Sequence, residues 1–150
     1  MGAGAVQFHL TEVRLKNVSP YLIFAGEARE AMTFYQRALD GTLDLQTYRD
    51  GSVPATPGSE DLTLHAKLVV GGVSIMASDT QAGMSVTKGD NHFISLDCDS
   101  DAEVDRLFEK LMEGGSATMI PQDTFWNARF AMGHDRFGIG WMFNHDKSKG

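Results

Sequence analysis

Hydrophobic and polar positions along this chain run through the same order twice. Tyr21-Leu22-Ile23-Phe24 is an apolar run of strand length, followed by a helical pattern that stops at Asp40-Gly41. Phe93-Ile94-Ser95-Leu96 is a second such run, and its helical pattern stops at Gly114-Gly115. From Glu27 to Leu39, Ala28, Ala31, Met32, Tyr35, Ala38 and Leu39 recur at helical spacing, with Glu27, Arg29, Glu30, Gln36 and Arg37 on the opposite face. The second helix carries Val104, Leu107, Phe108, Leu111 and Met112 in one stripe. Ser100 and Glu103 are spaced as a capping box, each side chain satisfying the other residue's backbone N–H. Gly41 is placed to end the first helix in the left-handed conformation.

Each helix leads into three strand patterns, at 43–48, 62–70 and 73–77 and then at 117–122, 128–132 and 139–143. Gly71-Gly72 between apolar runs predicts a hairpin, and Phe137-Gly138-Ile139-Gly140 another tight return. Residues 50–60 read as a mobile loop and 79–90 as the linker between halves. The order strand, helix, strand, strand, strand therefore occurs twice, offset by roughly seventy residues, which marks an internal duplication. Residues 1–18 form an N-terminal extension in which 7–11 and 13–15 alternate briefly. That segment predicts an extra edge strand or an arm docked onto another subunit.

Alternation within strands sorts side chains by face. Leu64, Ala66, Leu68 and Val70 belong under a helix, whereas Thr63, His65 and Lys67 face the other way. Ser74, Met76 and Ser78 share a face, as do Ser19 with Tyr21 and Phe93 with Ser95. Trp141 has the opposite parity to Met142 and is predicted to pack against a helix.

Length and composition narrow the classes. One domain with a real core fits 150 residues, 42% of them hydrophobic and 22% charged. A formal net charge of −7 leaves no basic face for nucleic acid. Cys98 is the single cysteine, so no internal disulfide is available and a reducing compartment is expected. Its neighbours Asp97 and Asp99 disfavour a thiolate, which argues against a nucleophile. No apolar stretch has the length of a membrane span, and residues 1–5 do not read as a secretory leader, so a cytoplasmic location is expected.

The phrases Ser19-Pro20-Tyr21-Leu22, Glu30-Ala31 through Phe34-Tyr35, Leu64-His65-Ala66, Ile75-Met76-Ala77-Ser78-Asp79, Asp123-Thr124-Phe125-Trp126 and Asp135-Arg136-Phe137-Gly138 with Trp141-Met142 span most of 19–144. In this order they resemble the vicinal oxygen chelate superfamily of glyoxalases, bleomycin-resistance proteins and dioxygenases. The branch resembled is PhnB-like, often labelled a demethylubiquinone methyltransferase domain. The resemblance implies an α+β fold in which two βαβββ modules, 19–79 and 90–145 of a single domain 19–150, curl mixed sheets into a cup with helices outside. It also implies a homodimer. Metal-using members hold a divalent ion at positions that fall here on Ser19, Met76, Phe93 and Met142. None of these is a good ligand for a hard or borderline cation, since imidazole and carboxylate are the usual donors. No metal and no cofactor are therefore expected. The methyltransferase label also lacks the glycine-rich loop between strand and helix that nucleotide-like cofactors commonly use.

The expected cup lining is Tyr21, Met76, Phe93 and Met142 with a few hydroxyls, an apolar pocket for a small organic molecule. His65 is the candidate for proton transfer or for hydrogen bonding to a ligand, because an imidazole can give or take a proton near neutral pH. The alternative places it in a bond to a neighbouring strand. Trp126 is expected to wall the pocket and Arg129 to anchor an acidic group on the ligand. The competing reading makes them a packing residue and an ion-pair partner. Two functions stay open: a binding protein that breaks no bond, and a metal-dependent or His-assisted lyase, isomerase or dioxygenase.

Overall fold

The computed structural model describes residues 12–149 and resolves the repeated pattern into two units of strand, helix and three strands. The first holds β1 (Tyr21–Phe24), α1 (Ala28–Leu39), β2 (Thr42–Thr47), the one-turn α2 (Tyr48–Gly51), β3 (Thr63–Val70) and β4 (Val73–Asp79). The second holds β5 (Phe93–Asp97), α3 (Asp101–Leu111), β6 (Ser116–Asp123), β7 (Ala128–His134) and β8 (Gly140–Asp146). The strand orders, β1-β4-β3-β2 and β5-β8-β7-β6, are the same in both. In each sheet the first strand runs parallel to the last, and the other pairings are antiparallel. The expectation for residues 7–11 lies outside the described residues. Residues 12–20 contain no strand or helix, and Val13, Leu15 and Val18 are exposed there.

The two stripes of the sequence become one core. α1 buries Ala28, Ala31, Met32, Tyr35 and Ala38, and α3 buries Val104, Leu107 and Leu111. α1 packs on β3, α3 packs on β7 and β8, and the helices pack on each other. Phe24, Leu68, Trp141 and Phe143 are fully buried in the same cluster. Each such side chain contributes about 1.5–3 kcal/mol on burial. Trp141 meets Tyr35 of α1 at 5.2 Å between ring centres, so its parity placed it correctly. One face of each sheet is thereby spent on the core, and the other carries no helix or strand among the described residues.

A buried carboxylate fastens the elements within each unit. Asp79 accepts from the backbone N–H groups of Gly26, Ala28 and Thr63 at 2.8–3.0 Å, and so fastens the start of α1 to β3 and β4. Asp135, in the β7–β8 turn, accepts from the backbone N–H groups of Phe137 and Ile139 and from the Trp141 indole.

Three local expectations change. Asp40, not Gly41, takes the left-handed conformation at the end of α1, with φ 56°. Gly41 is needed for a different reason: a Cβ there would lie 2.6 Å from the Val69 carbonyl oxygen. Ser100 does accept from the Glu103 N–H, but the return bond from Glu103 goes to the N–H of Asp99. The 50–60 stretch is ordered by hydrogen bonds rather than left loose. Thr47 and Asp50 cap α2 reciprocally, Thr56 binds Gln81, and the fully buried Ser59 accepts from Ala82.

Candidate functional site

The open face of the first sheet carries its polar groups in a defined row. Strand register sets Tyr21 beside Met76, Met76 beside Lys67, and Lys67 beside Asp44. The Tyr21 hydroxyl lies 3.0 Å from Nδ1 of His65, with the rings 5.7 Å apart. With the phenol donating, Nδ1 accepts and the imidazole proton sits on Nε2, where it is available to a bound molecule. Ser19 and Ser74 hydroxyls pair at 3.0 Å along the same face. Tyr21 and Ile23 are each 45% exposed, so this end of the sheet is bare.

The open face of the second sheet is chemically different. Met119, Met132 and Met142 are cross-strand partners in one line over β6, β7 and β8, and Ser95 of β5 completes the line. Thioethers in a row make a soft, adaptable surface. One step along, Phe93 packs against His134 with ring centres 5.0 Å apart. Gly140 leaves room for that ring, because a Cβ there would stand 2.8 Å from the Phe93 edge. Nε2 of His134 is buried and has no hydrogen-bond partner among the described residues. Trp126 sits at the β6–β7 turn, 51% exposed, with its ring 6.1 Å from Phe130 and 4.9 Å from Phe125.

A cleft of about 730 Å³ runs between the outer edges of β1 and β5, lined by Tyr21, Ile23, Ile75, His92, Phe93 and Ile139 among others. That volume falls within the range of small-molecule sites. Of the seven residues singled out in the sequence, Tyr21 and Phe93 share this cleft, and His65 and Met76 adjoin Tyr21. Met142 and Trp126 belong to the other sheet.

Arg129 is engaged elsewhere. Its guanidinium binds both oxygens of Asp105, at 2.9 and 3.2 Å, and Asp123 at 3.3 Å. Lys147 bridges Asp123 and Asp101, and His145 binds Asp101 at 2.8 Å. Hydrogen bonds from Lys147 and Arg129 hold Asp123 below the usual carboxylate range, and those from His145 and Lys147 do the same for Asp101. Cys98 is buried, and burial followed by the Glu103 charge pushes its thiol up to about 11, so no nucleophile is poised there.

The metal positions implied by the resemblance do not fit a divalent ion. Ser19 precedes β1 and bonds Ser74, Met76 and Met142 offer thioethers, and Phe93 offers a ring. Among the described residues no three His, Cys, Asp or Glu side chains converge. The reading by parity left out Met119, Met132, Phe130 and His134. Their alternation put them on one face, but only the register between β6, β7 and β8 aligns them with Met142.

Residues 16–143 match the protein family described as 3-demethylubiquinone-9 3-methyltransferase. Protein YjdN of Escherichia coli is 33% identical over 140 residues, which is 85% of this chain and 93% of that protein. The crystal structure of protein PA1353 from Pseudomonas aeruginosa is 43% identical, with a TM-score of 0.77 over 86% of this chain and 96% of that one. A Bacillus cereus structure titled as a putative 3-demethylubiquinone-9 3-methyltransferase, PhnB protein, shares the fold at 24% identity and a TM-score of 0.72, covering 87% and 99%. Structures titled glyoxalase/bleomycin resistance protein/dioxygenase share it at 17–20% identity.

Proposed function

We propose that this chain, which belongs to the 3-demethylubiquinone-9 3-methyltransferase family, the PhnB-like branch of the vicinal oxygen chelate superfamily, binds a small organic molecule against its open sheet faces. The divalent ion of metal-using relatives has no part in that binding. The observation that carries the reading is the pair of bare faces. One presents Tyr21, His65 and Met76, and the other presents Phe93, Met132 and Met142, each with no covering helix or strand among the described residues. Aromatic and thioether groups with a few convergent polar atoms suit a planar, largely apolar ligand.

Within one chain the two faces belong to separate sheets. A homodimer that sets the first sheet of one copy against the second sheet of its partner would combine them into one site. The exposed edges of β1 and β5 beside the cleft support such an arrangement. A cytoplasmic setting agrees with a lone buried thiol, and no helix among the described residues is long and apolar enough to cross a membrane.

The Tyr21–His65 contact favours a second reading, in which the bound molecule is also turned over by proton transfer at His65, in a lyase or isomerase type of reaction. Metal analysis of protein purified without chelator, run beside a thermal-shift screen of planar antibiotics, quinones and oxo acids, separates the two. Metal-free protein whose melting point rises with ligand supports binding. Stoichiometric iron, nickel, manganese or zinc would overturn the metal-free reading. Loss of the bound compound with time, abolished by His65→Gln, would establish the enzyme.

A further inference from the structure

Many of the cations among the described residues are committed to carboxylates. Arg49, Lys88, Arg106, Arg129, Arg136 and Lys147 each hold a carboxylate within 4 Å. Only two lysines or arginines among the described residues stand on strands, Lys67 on β3 and Arg129 on β7. Arg129 keeps 23% of its side chain exposed and grips Asp105 and Asp123. Lys67 is exposed, lies on the open face of the first sheet, and forms no ion pair among the described residues. Its surroundings are those of a binding surface: Met76 is its direct neighbour on β4, and His65 is two residues along the same face. At strand spacing His65 and Lys67 stand roughly 7 Å apart at their backbones, close enough for both side chains to reach one acid group.

Resting on the reading that these faces bind a small molecule, we infer that Lys67, not Arg129, meets a negatively charged group on the ligand. The ligand class is an organic acid with an apolar or aromatic body. The acid lies between Nζ of Lys67 and Nε2 of His65, which Tyr21 leaves free by occupying Nδ1. The body extends over Met76 toward the cleft edge. One carboxylate opposes this, because Asp44 is the cross-strand partner of Lys67 on β2 and forms no ion pair with it. The net charge of −7 disfavours an acid over much of the surface, and Lys67 is the one strand lysine or arginine among the described residues that no carboxylate holds.

Calorimetric titration of the full chain with naphthoate and with its neutral amide tests this. Naphthoate is expected to bind about tenfold more tightly than naphthamide, with a preference that shrinks as salt is raised. Lys67→Met should bring naphthoate binding down to the level of naphthamide, Lys67→Arg should keep the preference, and Asp44→Asn should enlarge it. Equal binding of acid and amide in the natural chain, or a preference that survives Lys67→Met, overturns the assignment to Lys67 and leaves the pocket standing. Failure of both compounds to bind overturns the pocket and the anchor together.

Discussion

The Tyr35 phenol donates to Oδ2 of Asp135 at 2.6 Å, joining the helix of the first module to the β7–β8 turn of the second. Trp141 Nε1 donates to the same oxygen at 2.8 Å, and the backbone N–H groups of Phe137 and Ile139 take the other. Burial, and then the adjacent charge of Asp135, keep the phenol protonated throughout the accessible pH range. Asp135→Ala strands four donors at once, three of them buried, and is expected to cost about 3–5 kcal/mol in urea unfolding. Tyr35→Phe removes one bond to a charged acceptor and should cost about 1.5–3 kcal/mol. A loss under 1 kcal/mol for Asp135→Ala would show that the turn does not hold the modules together.

Cys98 should behave as an inert thiol. With its pKa near 11, raised first by burial and then by Glu103, about one molecule in a thousand is a thiolate at pH 8. Alkylation of the native protein by iodoacetamide is expected to be far slower than after unfolding, and to quicken as pH approaches 11. Rapid labelling at neutral pH in the folded state would contradict this.

The acid limb of stability should report the network around Arg129. Asp101 and Asp123 have folded pKa values below their unfolded ones, Asp101 through bonds from His145 and Lys147 and Asp123 through bonds from Lys147 and Arg129. The stabilisation is therefore complete above the unfolded carboxylate value, near 4, and is lost as pH falls through the lower folded value. Asp123→Asn should lower the melting temperature slightly at neutral pH and flatten its decline as pH falls below the unfolded carboxylate value. An unchanged pH profile would mean that the pairs contribute nothing, as many exposed pairs do.

Met76→Lys probes the open face of the first sheet. Met76 stands between Tyr21 and Lys67 in the strand register, so a second ammonium there replaces the apolar contact and crowds Lys67. The fold should survive, with a stability change within about 1 kcal/mol, because the position faces away from the core. Any ligand-induced rise in melting temperature should vanish. A retained rise would move the site off this face.

The duplication was legible in the sequence because each helix repeats an apolar stripe and each strand pattern ends at a glycine or polar return. Strand parity placed Trp141 in the core and His65 on the open face without any structure. Parity does not reveal register, which is why the alignment of Met119 and Met132 with Met142 stayed hidden. Long-range pairing was equally out of reach: nothing local tells that Asp135 serves Tyr35, or that Arg129 lies within reach of Asp105 on α3. The left-handed turn at Asp40 also escaped, because Gly41 beside it is the usual occupant, and the demand on Gly41 comes from Val69 across the sheet.

The central claim is a ligand seated on methionine-bearing open faces without a metal ion. Carbon-13 methyl spectra of the methionines, recorded on chelator-treated protein during titration with naphthoate, test it most directly. The account predicts that Met76, Met119, Met132 and Met142 shift with saturation, while Met32, buried under the first sheet, and Met112, packed against the core, stay still. Shifts that appear only after a divalent cation is added, or that leave those four methyls unmoved, would contradict it.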